Sequence, residues 1–199
     1  VGSLHENIRP FDLVVPDQLI DRTYAREASF FDDVIVGHVP FAQPFCTELS
    51  RKVAAAGERH ALTTHLGGKC IVIEGPQFST RAESELYRSW GANVIGMTTL
   101  PEAKLAREAE IGYATMGLVT DYDCWHRSHA SVTVEQIINN LQKNAAMARK
   151  IIFETIANLD LGQPSPHANV LKNAIITNPD YISKEVRSRL EPIIGRYVK

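Results

Sequence analysis

Two acids stand two residues apart in the run Val119-Thr120-Asp121-Tyr122-Asp123-Cys124-Trp125, with a hydroxyl before them and no lysine or arginine beside them. In extended backbone, residues i and i+2 point to the same side, so Asp121 and Asp123 can face one ligand together. A neighbouring like charge raises a carboxyl pKa, and a carboxyl so raised can hold or deliver a proton. Aspartate also favours turns for its own backbone bonds, and a plain strand-to-loop turn accounts for the same two residues. The β-rich run 113–119 carries the backbone to the pair. An open sheet places its ligands beyond the carboxyl ends of its strands, which is where this pair would lie.

A second stretch with chemical promise is Glu74-Gly75-Pro76-Gln77-Phe78-Ser79-Thr80-Arg81-Ala82-Glu83-Ser84, which follows the apolar run 70–73. The Gly-Pro pair breaks a strand, and Thr80-x-x-Glu83 is a capping box for a helix running to Trp90, stopped by Gly91. Free amides at that helix start suit an anion or the polar edge of a ligand. An ordinary strand-loop-helix connection explains the caps equally well, but not Glu74 and Phe78 crowded at the strand's end. Cys124, His126 and His129 have metal-binding side chains, yet no second cluster completes a zinc pattern, so no metal is expected.

The elements that must position these residues follow from periodicity. Strands are expected at 11–15, 34–36, 70–73, 93–97 and 113–120. Residues 17–23 read as a surface turn or a solvated loop. Helices are expected at 46–57, at 80–90, and from Thr98-Thr99 through Ala109, the last burying Ala103, Leu105 and Ala106. A long helix opens at the Thr133-x-x-Gln136 capping box and runs to about 159. Its apolar stripe (Val134, Ile137, Ile138, Leu141, Ala145, Ala148, Ile152, Ile156) reads as core. Helix-like pieces follow at 170–175 and 182–194 without legible chemistry. The alternation of strand and helix argues for an α/β fold with parallel pairing and right-handed crossovers.

The chain has 199 residues, enough for a single domain with a buried core. Its net charge of −2 gives no electrostatic reason to expect nucleic acid. No apolar run approaches the length of a membrane span. Three scattered cysteines, Cys46, Cys70 and Cys124, suit reduced thiols in a cytoplasm better than a disulfide framework. No Gly-x-Ser-x-Gly turn points to a serine hydrolase.

Taken together, these stretches resemble the trimeric purine nucleoside phosphorylases, and among them the methylthioadenosine phosphorylase family. The resemblance is carried by residues 73–84, 90–99 and 101–109, by Thr120-Asp-Tyr-Asp-Cys-Trp125, and by the earlier 17–23 and 38–46. It covers residues 1 to about 159, leaving 160–199 as an extension of the one domain. It implies a three-layer α/β/α fold with a mixed, largely parallel sheet, and a homotrimer. The implied reaction is phosphorolysis of the N-glycosidic bond of 5′-methylthioadenosine, a step of purine and methionine salvage. Inorganic phosphate is then the co-substrate, and no cofactor is implied.

By the same resemblance, Asp121 sits by ring nitrogen seven of the purine and Asp123 by its exocyclic amine. Phe78 packs on the base, Met97 lies along the ribose, Thr120 stands beside the ligand, and Thr98 reaches phosphate. Ser79 and Val134 tune specificity. His38, lent by a neighbouring subunit, and Ile138 line the 5′ end. Gly96 departs from relatives with asparagine there and leaves the purine preference open. The family's N-terminal portion, with most phosphate contacts, has no counterpart before Val1. On that account the 199 residues are expected to bind base and ribose, and not to phosphorolyse alone. The alternatives are a general purine nucleoside phosphorylase preferring 6-oxopurines and a non-catalytic nucleoside-binding fragment.

Overall fold

A computed structural model describes residues 1–31, 34–126, 134–160 and 162–198, without the side chains of residues 134, 136 and 137. Among the described residues, eight short strands form two sheets. They are β1 (Gly2–Ser3), β2 (Leu13–Val15), β3 (Gln18–Arg22), β4 (Thr64–Leu66), β5 (Lys69–Ile73), β6 (Val94–Gly96), β7 (Gly117–Leu118) and β8 (Asp121–Tyr122). The five-stranded sheet runs β3-β5-β6-β1-β8, and the three-stranded sheet runs β4-β2-β7. In the larger sheet β3–β5, β5–β6 and β1–β8 pair in parallel, while β1–β6 is antiparallel. The α/β architecture with mixed, largely parallel pairing is therefore present, divided between two sheets.

β5 is buried from Cys70 to Ile73, as its Cys-Ile-Val-Ile run requires of a strand covered on both faces. Burial pushes the Cys70 thiol up to about 11, so it packs as a neutral apolar group. Residues 17–23, expected as turn or loop, instead supply β3, which pairs with β5 from Gln18↔Lys69 to Arg22↔Ile73. Charge misleads there because Asp21 is answered: Thr23 donates to it through amide and hydroxyl, both at 2.7 Å, and Lys104, far away in sequence, donates from Nζ at 2.5 Å. The run 34–36 forms no named strand; Gly37 makes only an isolated bridge to Ile175.

The helices are α1 (Thr47–Arg59), α2 (Arg81–Ser89), α3 (Thr99–Glu108), α4 (Val134–Ala157) and α5 (Lys184–Ile194). The Thr80–Glu83 capping box opens α2 with both bonds in place. The corresponding box at Thr133 lies outside the described residues. α3 buries Ala103, Arg107 and Glu108, whereas Leu105 and Ala106 are only partly covered. α4 departs furthest from expectation. Ile138, Leu141, Ile152 and Ile156 are exposed, and among the described side chains the buried ones are Asn144, Ile151 and Thr155.

Residues 163–198 build a small core of their own. Leu171, Ile182, Leu190, Ile194 and Val198 pack with Phe31 and Ile35. Glu110, just past α3, pins this unit: its carboxylate accepts from the Leu171 amide at 2.9 Å, the Tyr197 hydroxyl at 2.8 Å and Arg196. Glu110→Ala leaves the buried Leu171 amide without an acceptor. It is expected to cost roughly 1–3 kcal/mol, read as a lower urea midpoint; an unchanged midpoint would show that the anchor lies elsewhere.

Candidate active site

The loops that follow β5 and β6 converge with β8 on a cavity of about 330 Å³. Its wall brings together seven residues singled out from sequence: Phe78 and Ser79, Met97 and Thr98, then Thr120, Asp121 and Asp123. Gly2 of β1 forms part of the floor. It pairs in register with Asp121, and a Cβ added to it would lie 3.5 Å from Asp123 Cβ and 3.7 Å from Asp121 Oδ2. The two carboxylates thus share one side of the backbone, as the i, i+2 spacing requires.

Their environments differ. Burial raises the Asp121 carboxyl above its ordinary value, the Thr120 hydroxyl bonded to it works the other way, and the Asp123 charge adds to the rise. Asp123 accepts a hydrogen bond from Ser79 Oγ at 3.0 Å. That bond fixes one carboxylate oxygen, and Cys124 Sγ donates to the Ser79 carbonyl at 3.4 Å behind it. One carboxyl is placed to carry a proton, and its neighbour to accept from a donor on a ligand.

Phe78 stands 65% exposed on the cavity wall, an apolar face open to a planar partner. The approach of its loop depends on Gly75. The φ of 73° there suits glycine, and a Cβ would meet Met97 Sδ at 2.7 Å. Thr98 is the N-cap residue of α3 and its side chain makes no capping bond. That hydroxyl is a polar group on this wall able to donate to an anion.

Two amides that the sequence reading passed over hold the acidic strand. Asn140 Nδ2 donates to the Thr120 carbonyl at 2.8 Å, and Asn144 Nδ2 to the Val119 carbonyl at 3.0 Å. The available signal was a pair of asparagines at i, i+4 inside an apolar helix, where their low helix propensity asks for a reason.

Trp125, although close to the acids in sequence, does not line the cavity. It is buried under the sheet, donates from Nε1 to the Ser3 carbonyl at 2.8 Å, and carries the Arg88 guanidinium 3.4 Å over its ring. On α4, Leu141 lines the cavity and Ile138 does not. His38 is exposed, away from this cavity, and its amide donates to the Ala174 carbonyl at 2.9 Å. The side chain of Val134 and all of His129 lie outside the described residues. Among the described residues no group of three metal-ligating side chains forms.

Comparison with known proteins agrees with this geometry. The sequence model of the phosphorylase superfamily matches residues 1–157. The S-methyl-5′-thioadenosine phosphorylase of Geobacter sulfurreducens is 51% identical over 199 residues, all of this chain and 70% of that protein. The protein of the same name from Thermosynechococcus vestitus is 52% identical over 202 residues, again covering 70% of its length. Among solved structures, a methylthioadenosine phosphorylase from an Antarctic soil metagenomic library superposes with a TM-score of 0.89 at 43% identity, over 96% of this chain and 68% of that one. The Schistosoma mansoni methylthioadenosine phosphorylase in complex with adenine superposes with a TM-score of 0.80 at 30% identity, over 88% and 69%. The chain belongs to the phosphorylase superfamily.

Proposed function

We propose that this chain binds 5′-methylthioadenosine and serves its phosphorolysis to adenine and 5-methylthioribose 1-phosphate. The observation that carries the reading is the asymmetric acid pair: Asp121, half-buried and raised, beside Asp123, held by Ser79. The names of the relatives and the adenine bound in a structural neighbour support the same ligand class. As the C1′–N9 bond breaks, its electron pair moves onto the purine, and Asp121 donates its proton to ring nitrogen seven. Phosphate oxygen forms the new bond to C1′. Asp123 accepts from the exocyclic amine, a contact that the carbonyl oxygen of a 6-oxopurine would turn into repulsion. Thr98, with its hydroxyl free of capping, is the first phosphate contact on this chain.

A homotrimer fits the position of His38, which is exposed, lies outside the lining of its own cavity, and is available to close the 5′ end of a neighbouring copy's ligand. Leu141 of α4, which lines the cavity, gives that end an apolar wall. Purine and methionine salvage in the cytoplasm is the setting this reaction implies.

Calorimetric titration of the 199-residue chain with adenine and hypoxanthine tests the base half of the reading. Adenine should bind about tenfold or more tightly; equal affinity would favour a general purine nucleoside phosphorylase. Turnover is tested in a hybrid in which this chain replaces the matching 70% of the Geobacter protein. Adenine release from methylthioadenosine should depend on phosphate; adenine binding with no release would favour a nucleoside-binding role. Because the Asp121 pKa is raised, its proton persists to higher pH than an ordinary carboxyl's, and release should decline as pH climbs through that value.

A further inference from the structure

Arg26 lies outside the cavity, yet its guanidinium reaches both loops that line it. Nη2 donates to the carbonyls of Ile73 at 3.1 Å and Glu74 at 2.6 Å, at the end of β5. Nη1 donates to the Met97 carbonyl at 2.6 Å and to that of Leu100, beyond the end of β6. The first loop carries Phe78 and Ser79, and the second carries Met97 and Thr98.

The backbone explains why these carbonyls need an outside donor. Past its last ladder position a strand leaves carbonyls unpaired. Leu100, buried inside α3, has extended φ and ψ of −113° and 142°, which turns its carbonyl off the helical ladder. A buried carbonyl without a donor carries the full desolvation cost. Arginine offers five donors in one rigid plane and can serve both loops at once, which a single ammonium cannot. Arg26 is itself held. The Glu74 carboxylate accepts from the Tyr24 amide at 2.9 Å and pairs with Arg26 Nε at 3.5 Å, with both side chains 18% exposed.

We infer that Arg26 is a positioning residue that ties the two site loops together and so sets the distance between the base-stacking Phe78 and the ribose-facing Met97. The ligand half of this inference rests on the adenine-nucleoside reading given above; the clamp half does not.

The test therefore has two arms, both on the 199-residue chain. In the ligand-free arm, hydrogen exchange of the segments 73–80 and 97–101 is compared between the unsubstituted chain and Arg26→Lys, with α5 as the internal reference. Both segments should exchange faster together, while α5 stays unchanged. Unaltered exchange in either segment would overturn the clamp. In the ligand arm, adenine affinity should fall about tenfold or more in Arg26→Lys. In Arg26→Ala it should recover saturably with millimolar methylguanidinium, which should leave the unsubstituted chain's affinity unaltered. A merely structural loss would show no such saturation. Affinity within about twofold in Arg26→Lys would overturn the positioning role. An unsubstituted chain that binds no adenine would sink the ligand reading, and the exchange arm would still decide the clamp. Should Arg26→Ala fail to fold, Arg26→Lys decides both arms.

Discussion

Asp121→Asn is expected to lower phosphate-dependent release of adenine from methylthioadenosine by roughly 10²–10⁴-fold in the Geobacter hybrid. Asparagine keeps the shape of the side chain and an oxygen for the Thr120 hydroxyl, but it has no proton to give the leaving purine. The same substitution should leave the ligand-free chain no less stable at neutral pH. The folded-state pKa of Asp121 is raised above the ordinary 3.8, chiefly by burial. The folded chain therefore binds this proton more tightly than the unfolded chain does. Stability linked to the group is fully present below the unfolded value and is lost as pH rises through the folded one. Asparagine removes that loss. A variant with near-normal turnover, or one that melts markedly lower at neutral pH, would end the assignment of Asp121 as the acid of raised pKa.

The second large effect is expected at the neighbouring carboxylate. Asp123→Asn should weaken adenine binding by roughly 10–10²-fold, the usual worth of a hydrogen bond to a charged group. It should also narrow or invert the preference for adenine over hypoxanthine. A carboxylate only accepts, so it rewards an amine and repels a carbonyl, whereas a carboxamide can turn either end to the ligand. Ser79 Oγ, 3.0 Å from Asp123 Oδ2, would then choose between the two amide orientations, giving Ser79 its part in specificity. Titration of both bases into both chains measures the ratio. A ratio that does not move would place the reader of the exocyclic amine elsewhere.

How much of this was legible depended on whether the governing contacts are local. The helix at 81–89 could be read because its start condition, Thr80 with Glu83, is written within four residues. The acid pair could be read for the same reason, since its shared face follows from spacing alone. β3 could not, because its charged residues are answered by Lys104 and by pairing with β5, both distant in sequence. Arg26 was passed over entirely. Nothing in the run 23–27 announces that carbonyls from two other loops arrive there in space.

α4 shows the limit of periodicity most plainly. Its apolar stripe was visible, but a repeat of 3.6 residues reports that a face exists and is silent on which way it turns. The exposed positions Ile138, Leu141, Ile152 and Ile156 lie on the expected stripe, and the buried side carries Asn144 and Thr155 beside Ile151. The buried Asn144 amide is answered by the Val119 carbonyl, as the Asn140 amide is by that of Thr120, whereas the buried Thr155 hydroxyl has no hydrogen-bond partner among the described residues.

Those two amide bonds also make the seating of α4 discrete. Greasy surfaces in contact can slide by a fraction of a turn with little change in area, since burial has no direction. A directional bond has no such freedom. Asn140 and Asn144 lie four residues apart and meet consecutive carbonyls, those of Thr120 and Val119. Advancing the helix by one turn, about 5.4 Å, would carry Asn140 toward Asn144's acceptor and take Asn140 off the Thr120 carbonyl it now serves. The helix and the acidic strand therefore engage like a key with two teeth, in one register among those that apolar packing alone would allow.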